Sequence, residues 1–150
     1  MTSYVRMTPL EKMLVQHEGL SLDLYRDTAS PPRWTIGVGR NLSDVGLRDE
    51  TEALFLLGRD LDAIRAELDH AWPHWRQLDE VRADVVLSMA FNLGVAGFMR
   101  FVKTRALIGE RSWDRASLEM LRSRWAEQVG KRAIELSTIL STGKHPRAMA

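Results

Sequence analysis

The spacing of apolar residues changes twice along this 150-residue chain. Over residues 8–19 it is helical: Leu10, Met13, Leu14 and His17 recur at intervals of three and four. Thr8 suits an N-cap, Pro9 the first helical position, Glu11 the closing member of a capping box, and Gly19 the stop. Glu18 then falls in the last turn. From Leu22 to Val38 the period is two. Asp23, Tyr25 and Asp27 share one parity, and Leu22 and Leu24 the other. Thr28-Ala29-Ser30-Pro31-Pro32-Arg33 reads as a turn, and the next strand sets Trp34, Ile36 and Val38 on one face and Thr35, Gly37 and Gly39 on the other. Thr35 is therefore expected on a face otherwise bare of side chains, open enough for a polymer to lie against it. Asn41 to Gly46 reads as a turn or short edge strand.

From Asp49 the helical period returns and holds almost to the end. Leu54, Leu57, Leu61, Ile64 and Leu68 predict one long helix over about 49–70, loosened or kinked at Gly58 and ended by Pro73. Leu78 to Leu93 is strongly apolar (Val81, Val85, Met89) and stops at Gly94, as a buried central helix would. Shorter helices are predicted around 96–108, 112–124 and 130–142, with Gly109 and Gly143 as punctuation and Ser112 as an N-cap. Residues 144–150 are expected to fray. The class is α+β, predominantly α, with all strands near the N-terminus.

Composition narrows this little: 45% hydrophobic and 27% charged residues are ordinary for a globular domain of this length. With no cysteine there is no disulfide and no thiolate metal site. Net charge is +1, but residues 1–75 carry 8 Lys/Arg against 12 Asp/Glu and residues 76–150 carry 13 against 8. The basic half suits an anionic polymer or a merely solvated surface, and no like-charge run suggests a nucleic-acid tail. Met1 to Arg6 lacks the apolar stretch of a signal peptide, and nothing approaches the roughly 20 apolar residues of a membrane span. Synthesis in the cytoplasm is the expectation, with no stable membrane insertion.

The candidate chemistry lies in the first 40 residues. Glu18, Asp27 and Thr35 sit eight or nine residues apart, between the end of a helix and a hairpin. The negative end of a helix disfavours ionisation of Glu18, and Leu14 and Leu20 add desolvation, which suits a proton donor. Asp27, beside a polar loop, suits an ionised base that activates a water, with Thr35 holding that water. Carboxyls roughly 6.5–9.5 Å apart leave room for the water and give inversion, whereas roughly 5–5.5 Å implies a covalent intermediate. Taken singly, each has a plainer reading: a solvated glutamate, a turn-forming aspartate, a strand threonine.

The strings around these residues settle more. His17-Glu18-Gly19-Leu20, Tyr25-Arg26-Asp27-Thr28 and Trp34-Thr35-Ile36-Gly37-Val38-Gly39 closely resemble the N-terminal signature of the phage-type lysozymes, the phage endolysins of glycoside hydrolase family 24. Later strings follow in the family's order: Phe91-Asn92-Leu93-Gly94, Val95-Ala96-Gly97-Phe98, Trp113-Asp114, Ser123-Arg124-Trp125, Arg132-Ala133 and Ser141-Thr142-Gly143. The resemblance spans about residues 10–143. It implies a single lysozyme-like domain: a small N-terminal lobe with a β-hairpin sheet (1–58), a connecting helix at about 49–70, and a helical C-terminal lobe (71–150), with the active site in the cleft between lobes. It implies hydrolysis of the β-1,4 bond between N-acetylmuramic acid and N-acetylglucosamine in peptidoglycan, with inversion. Glu18 is then the acid, Asp27 the water-activating carboxylate and Thr35 the third member. Arg132 is the arginine that pairs with the glutamate, and Asn92 a polar amide lining the cleft. Gly37, Gly39 and Trp34 are supporting or substrate-binding residues.

The same resemblance implies peptidoglycan glycan strands as substrate, no metal or organic cofactor, a monomer, and release to the wall through a membrane lesion made by a partner protein, a holin. Two departures stand out. Arg40 occupies the position after Gly-x-Gly where the family usually has histidine, and Ser30-Pro31-Pro32-Arg33 lengthens the hairpin loop. His70 and His74 are separated by Pro73, which argues against a shared metal. Trp34 and Trp72 are the tryptophans considered for stacking on sugars. Three rivals remain: a lytic transglycosylase, which needs the acid but no water-holding pair; a catalytically inactive wall-binding module of the same fold; and a helical nucleic-acid binder using the basic half.

Overall fold

The structure, a computed structural model, describes residues 6–146. The expectations about Met1–Val5 and about fraying over 147–150 lie outside the described residues. Helix α1 (Pro9–Glu18) begins as its sequence requires: the Glu11 N–H donates to Thr8 Oγ1 at 3.2 Å and the Thr8 N–H to Glu11 Oε2 at 2.6 Å. Gly19 ends it at φ 78°.

Strands β1 (Ser21–Arg26), β2 (Trp34–Gly37) and β3 (Arg40–Asn41) form an antiparallel sheet in that order. Ser21 pairs with Gly37 and Tyr25 with Thr35, so β1 carries a bulge that strict alternation does not predict. Its cause is local. The Ser21 hydroxyl accepts from the Asp23 N–H at 3.2 Å and donates to the Asp23 carbonyl at 2.7 Å, curling the strand onto itself. Leu22 and Leu24 are left exposed.

Helix α2 (Glu50–Ala71) runs through Gly58 without a break, and the space beside that glycine is open. Pro73 starts a 3-10 helix, Pro73–Gln77. Asp69 ties it to α2, accepting from Trp75 Nε1 (3.0 Å), Arg76 Nε (2.8 Å) and Arg76 Nη2 (3.0 Å). The chain divides between Ala53 and Leu54 into two compact units.

The apolar core belongs to the second unit. Helix α3 (Glu80–Leu93) contributes Val85, Val86, Met89 and Ala90, all buried. The helices that follow are α4 (Val95–Met99), α5 (Val102–Gly109), α6 (Trp113–Leu121), α7 (Arg124–Val129) and α8 (Lys131–Thr142). The segment expected as one helix over 96–108 is two, parted at Arg100 and Phe101. No proline or glycine marks the break; the Phe101 ring packs edge-on against Trp125 with centroids 5.9 Å apart. The segment expected over 112–124 ends at Leu121, and α7 starts separately under an N-cap, Ser123, whose hydroxyl accepts from the Ala126 N–H at 3.1 Å. Ser112 holds the N-cap position of α6 but makes no capping bond with its side chain. His145 is anchored rather than frayed, its Nε2 lying 2.8 Å from Asp84 Oδ2.

Two helix ends in this unit are informative. At α8, Gly143 takes the left-handed conformation (φ 68°), and Arg82 caps the free carbonyls: its Nε donates to Leu140 O (2.7 Å) and its Nη2 to Ser141 O (3.0 Å). The guanidinium also lies 4.2 Å over the Trp113 ring, and a Cβ on Gly143 would stand 2.7 Å from Arg82 Nη1. At α5 the left-handed residue is not Gly109 but Arg111, at φ 57°. The Arg111 N–H donates to Ile108 O (3.0 Å) and the Ser112 N–H to Leu107 O (2.9 Å), which is a Schellman closure with arginine where glycine is usual. No described helix is long and apolar enough to cross a membrane.

Candidate active site

Glu18 is the last residue of α1 and is exposed. What approaches it is an absence of side chain. Gly39, in the turn between β2 and β3, has φ 61°, and a Cβ built there would stand 3.0 Å from Glu18 Oε2 and 3.4 Å from Glu18 Cβ. The strand expected to run through Gly39 ends at Gly37, so Gly39 lies outside its alternation, and its missing side chain leaves room for the glutamate. Gly37 has φ 69° and open space around it.

Asp27 lies one residue past β1 and is clasped by its own loop. Oδ1 accepts from the Ala29 N–H (3.1 Å) and the Arg33 N–H (2.8 Å), and Oδ2 from Arg33 Nε (3.2 Å). The Arg33 backbone N–H is the main cause holding the Asp27 carboxyl below its ordinary pKa; partial desolvation opposes it, and the Ala29 N–H and the Arg33 charge reinforce it. Asp27 is therefore set to stay ionised. Arg33 is the residue sequence reasoning passed over as part of a turn. The available signal was register: β1 and β2 close so that Asp27 and Arg33 oppose each other, and the Asp27 N–H donates to Arg33 O at 2.9 Å. Arg33 Nη1 also reaches Asp44 Oδ2 at 3.3 Å.

Thr35 corrects the expectation of an open face. It is 3% exposed, and its Oγ1 donates to the Arg33 carbonyl at 3.2 Å. The neighbouring glycines do not leave it open to solvent. The structure thus joins Thr35, Arg33 and Asp27 through hydrogen bonds, and separately sets Gly39 against Glu18. Trp34 is 46% exposed, and the Arg26 guanidinium lies over its ring at 4.8 Å. Trp72 is packed in the second unit, with its ring centroid 5.6 Å from Phe98 and 5.3 Å from His74, so it is not a free platform for a sugar. Arg40 donates through Nη2 to Gly46 O and closes the turn after β3.

Asn92 and Arg132 belong to the second unit. The Asn92 Oδ1 accepts from Trp125 Nε1 at 2.8 Å, joining α3 to α7. Arg132 is exposed near the start of α8, and its Nη2 lies 3.3 Å from Ser88 Oγ and 3.4 Å from Ser88 O. It borders a groove of about 270 Å³ with Asp84 and Phe91. Among the described residues no three His, Cys, Asp or Glu side chains gather as metal ligands would.

Residues 15–139 match the family model described as phage lysozyme. Two proteins of Dictyostelium discoideum, Probable T4-type lysozyme 1 and Probable T4-type lysozyme 2, are 26% and 23% identical to this chain, each alignment covering 91% of the chain and 96% of the relative. The Pre-baseplate central spike protein Gp5 of Enterobacteria phage T4 is 28% identical over 89% of this chain, which corresponds to 28% of that longer protein.

Proposed function

The chain belongs to the phage lysozyme family, and from that premise we propose that it hydrolyses the β-1,4 bond between N-acetylmuramic acid and N-acetylglucosamine in peptidoglycan, with inversion. Glu18 protonates the leaving oxygen and Asp27 deprotonates the attacking water. The observation that carries the division of labour is the clasp on Asp27. Two backbone N–H groups and the Arg33 guanidinium favour its ionised form, which suits the base rather than the proton donor. Thr35 acts as a positioning residue: it fixes the Arg33 carbonyl, and Arg33 fixes Asp27. Gly39 leaves the space Glu18 needs, Gly37 relieves the positive φ of the same turn, and Trp34 offers the remaining face of its ring to a sugar. Arg132 and Asn92 are supporting residues of the second unit. The protein works as a monomer without metal or organic cofactor, reaches the wall through a lesion made by a holin-like partner, and brings about host lysis.

The test is Glu18→Gln, assayed by clearing of outer-membrane-permeabilised cells. Loss of a general acid lowers the rate by about 10²–10⁴-fold. Clearing as fast as the parent's removes Glu18 from the acid role, and a parent that does not clear at all favours a wall-binding module.

A further inference from the structure

We propose that the second unit holds an oxyanion site centred on Arg111, accepting a compact carboxylate or phosphate. The inference does not rest on the proposed hydrolysis. A cavity of about 330 Å³ lies among the 3-10 helix, the start of α3 and the α5–α6 turn, lined by His74, Gln77, Asp79, Arg82, Arg111 and Trp113. Two of its charges are already spent on each other. Asp79 Oδ1 accepts from Arg82 Nη1 at 3.2 Å and Oδ2 from the Arg82 N–H at 3.1 Å, while the rest of the Arg82 guanidinium serves the end of α8 and stacks on Trp113.

Arg111 is the cation left over. Its guanidinium has no hydrogen-bond or ion-pair partner among the described residues, and neither do the Gln77 amide and the Trp113 indole N–H. Arg111 also occupies the left-handed position of a Schellman closure, where glycine fits without strain and a side chain does not. The chain thus keeps a guanidinium at the cavity against the preference of its own backbone, the kind of outlier from which a binding role is inferred. A fork of N–H donors, flanked by neutral donors and an aromatic wall, matches the two oxygens of a carboxylate or phosphate. A cation meets Arg111 with nothing to offset it, because the only carboxylate in the lining is held by Arg82 on both oxygens.

The backbone supplies the test. Arg111→Gly removes the guanidinium and relaxes the turn, so the variant keeps or raises the melting temperature. Full-length protein is titrated with inorganic phosphate and, separately, with N-acetylalanine, at constant ionic strength so that general screening is not read as binding. The Trp113 indole N–H is followed by two-dimensional NMR. A saturable shift with at least one ligand is expected, weakened about tenfold or more in Arg111→Gly, as loss of a charge-assisted hydrogen bond implies. Arg111→Gln repeats the measurement without the added glycine. Arg122→Gln, an exposed arginine outside the cavity, binds as the parent does. Saturation by N-acetylalanine alone assigns the site to carboxylates, and by phosphate alone to phosphate esters. Absence of saturation with both, or undiminished binding in both Arg111 variants, overturns the site.

Discussion

Replacing Gly39 by alanine separates backbone cost from damage to the acid. At φ 61° an alanine costs roughly 1–2 kcal/mol in the folded state. Its stiffer unfolded chain returns about 0.4–1 kcal/mol, leaving a net loss near ~1 kcal/mol, or a few degrees in melting temperature. The added Cβ stands 3.0 Å from Glu18 Oε2, tighter than an ordinary contact, so the carboxylate must give way by a few tenths of an ångström. A displacement on the order of 1 Å in a catalytic group can cost about 10²-fold, so this smaller shift is expected to lower wall-clearing activity by about 2–10-fold. Gly94→Ala is the matched control. At φ 75° and ψ 157° its backbone cost is no smaller, and nothing lies within 4 Å of the added Cβ, so it carries a backbone cost without touching Glu18. Thermal melts and clearing rates are measured on both. If Gly39→Ala keeps the parent's rate, or if both variants lose activity equally, the space at Gly39 is not what positions the acid.

Asp27→Asn should destabilise the protein near neutral pH, and the difference should close on acidification. A carboxyl whose pKa is lowered by folding contributes stability above its unfolded pKa and loses it as pH falls through the folded value. Melting temperatures of parent and variant followed into acid, below the ordinary aspartate range, check the sign. Arg82→Met strips the cap from two carbonyls at the end of α8 and should cost about 2 kcal/mol in urea unfolding. Phe98→Ala, at a side chain with no exposed surface, should cost about 3–5 kcal/mol by the same assay.

Local signals carried far in this chain, and their failures share a cause. Helix α1 was legible because Thr8, Pro9, Glu11 and Gly19 each act within a few residues of one another. The course of α2 was legible from one apolar spacing repeated over 15 residues, from Leu54 to Leu68, although Leu54 is 64% exposed and only Leu68 among its periodic residues is fully buried. The break at Arg100-Phe101 was not: no proline or glycine marks it, and the Phe101 ring there packs on Trp125, twenty-four residues away. The turn after α5 was only partly legible: Gly109 punctuates the helix as expected of it, but hydrogen bonding puts the left-handed position two residues later, on Arg111. In the candidate site, Glu18 and Asp27 could be singled out by type and spacing. Arg33 could not, because its role appears only when β1 and β2 close in register. Thr35 was expected to be open to a ligand, and it is buried.

The sharpest test is the anomer first released when purified peptidoglycan is digested in an NMR tube. Water activated by Asp27 on the side opposite the bond protonated by Glu18 gives the α-anomer at the new N-acetylmuramic acid end, before mutarotation mixes the two. Initial release of the β-anomer, or of 1,6-anhydromuramic ends, contradicts a single displacement by water.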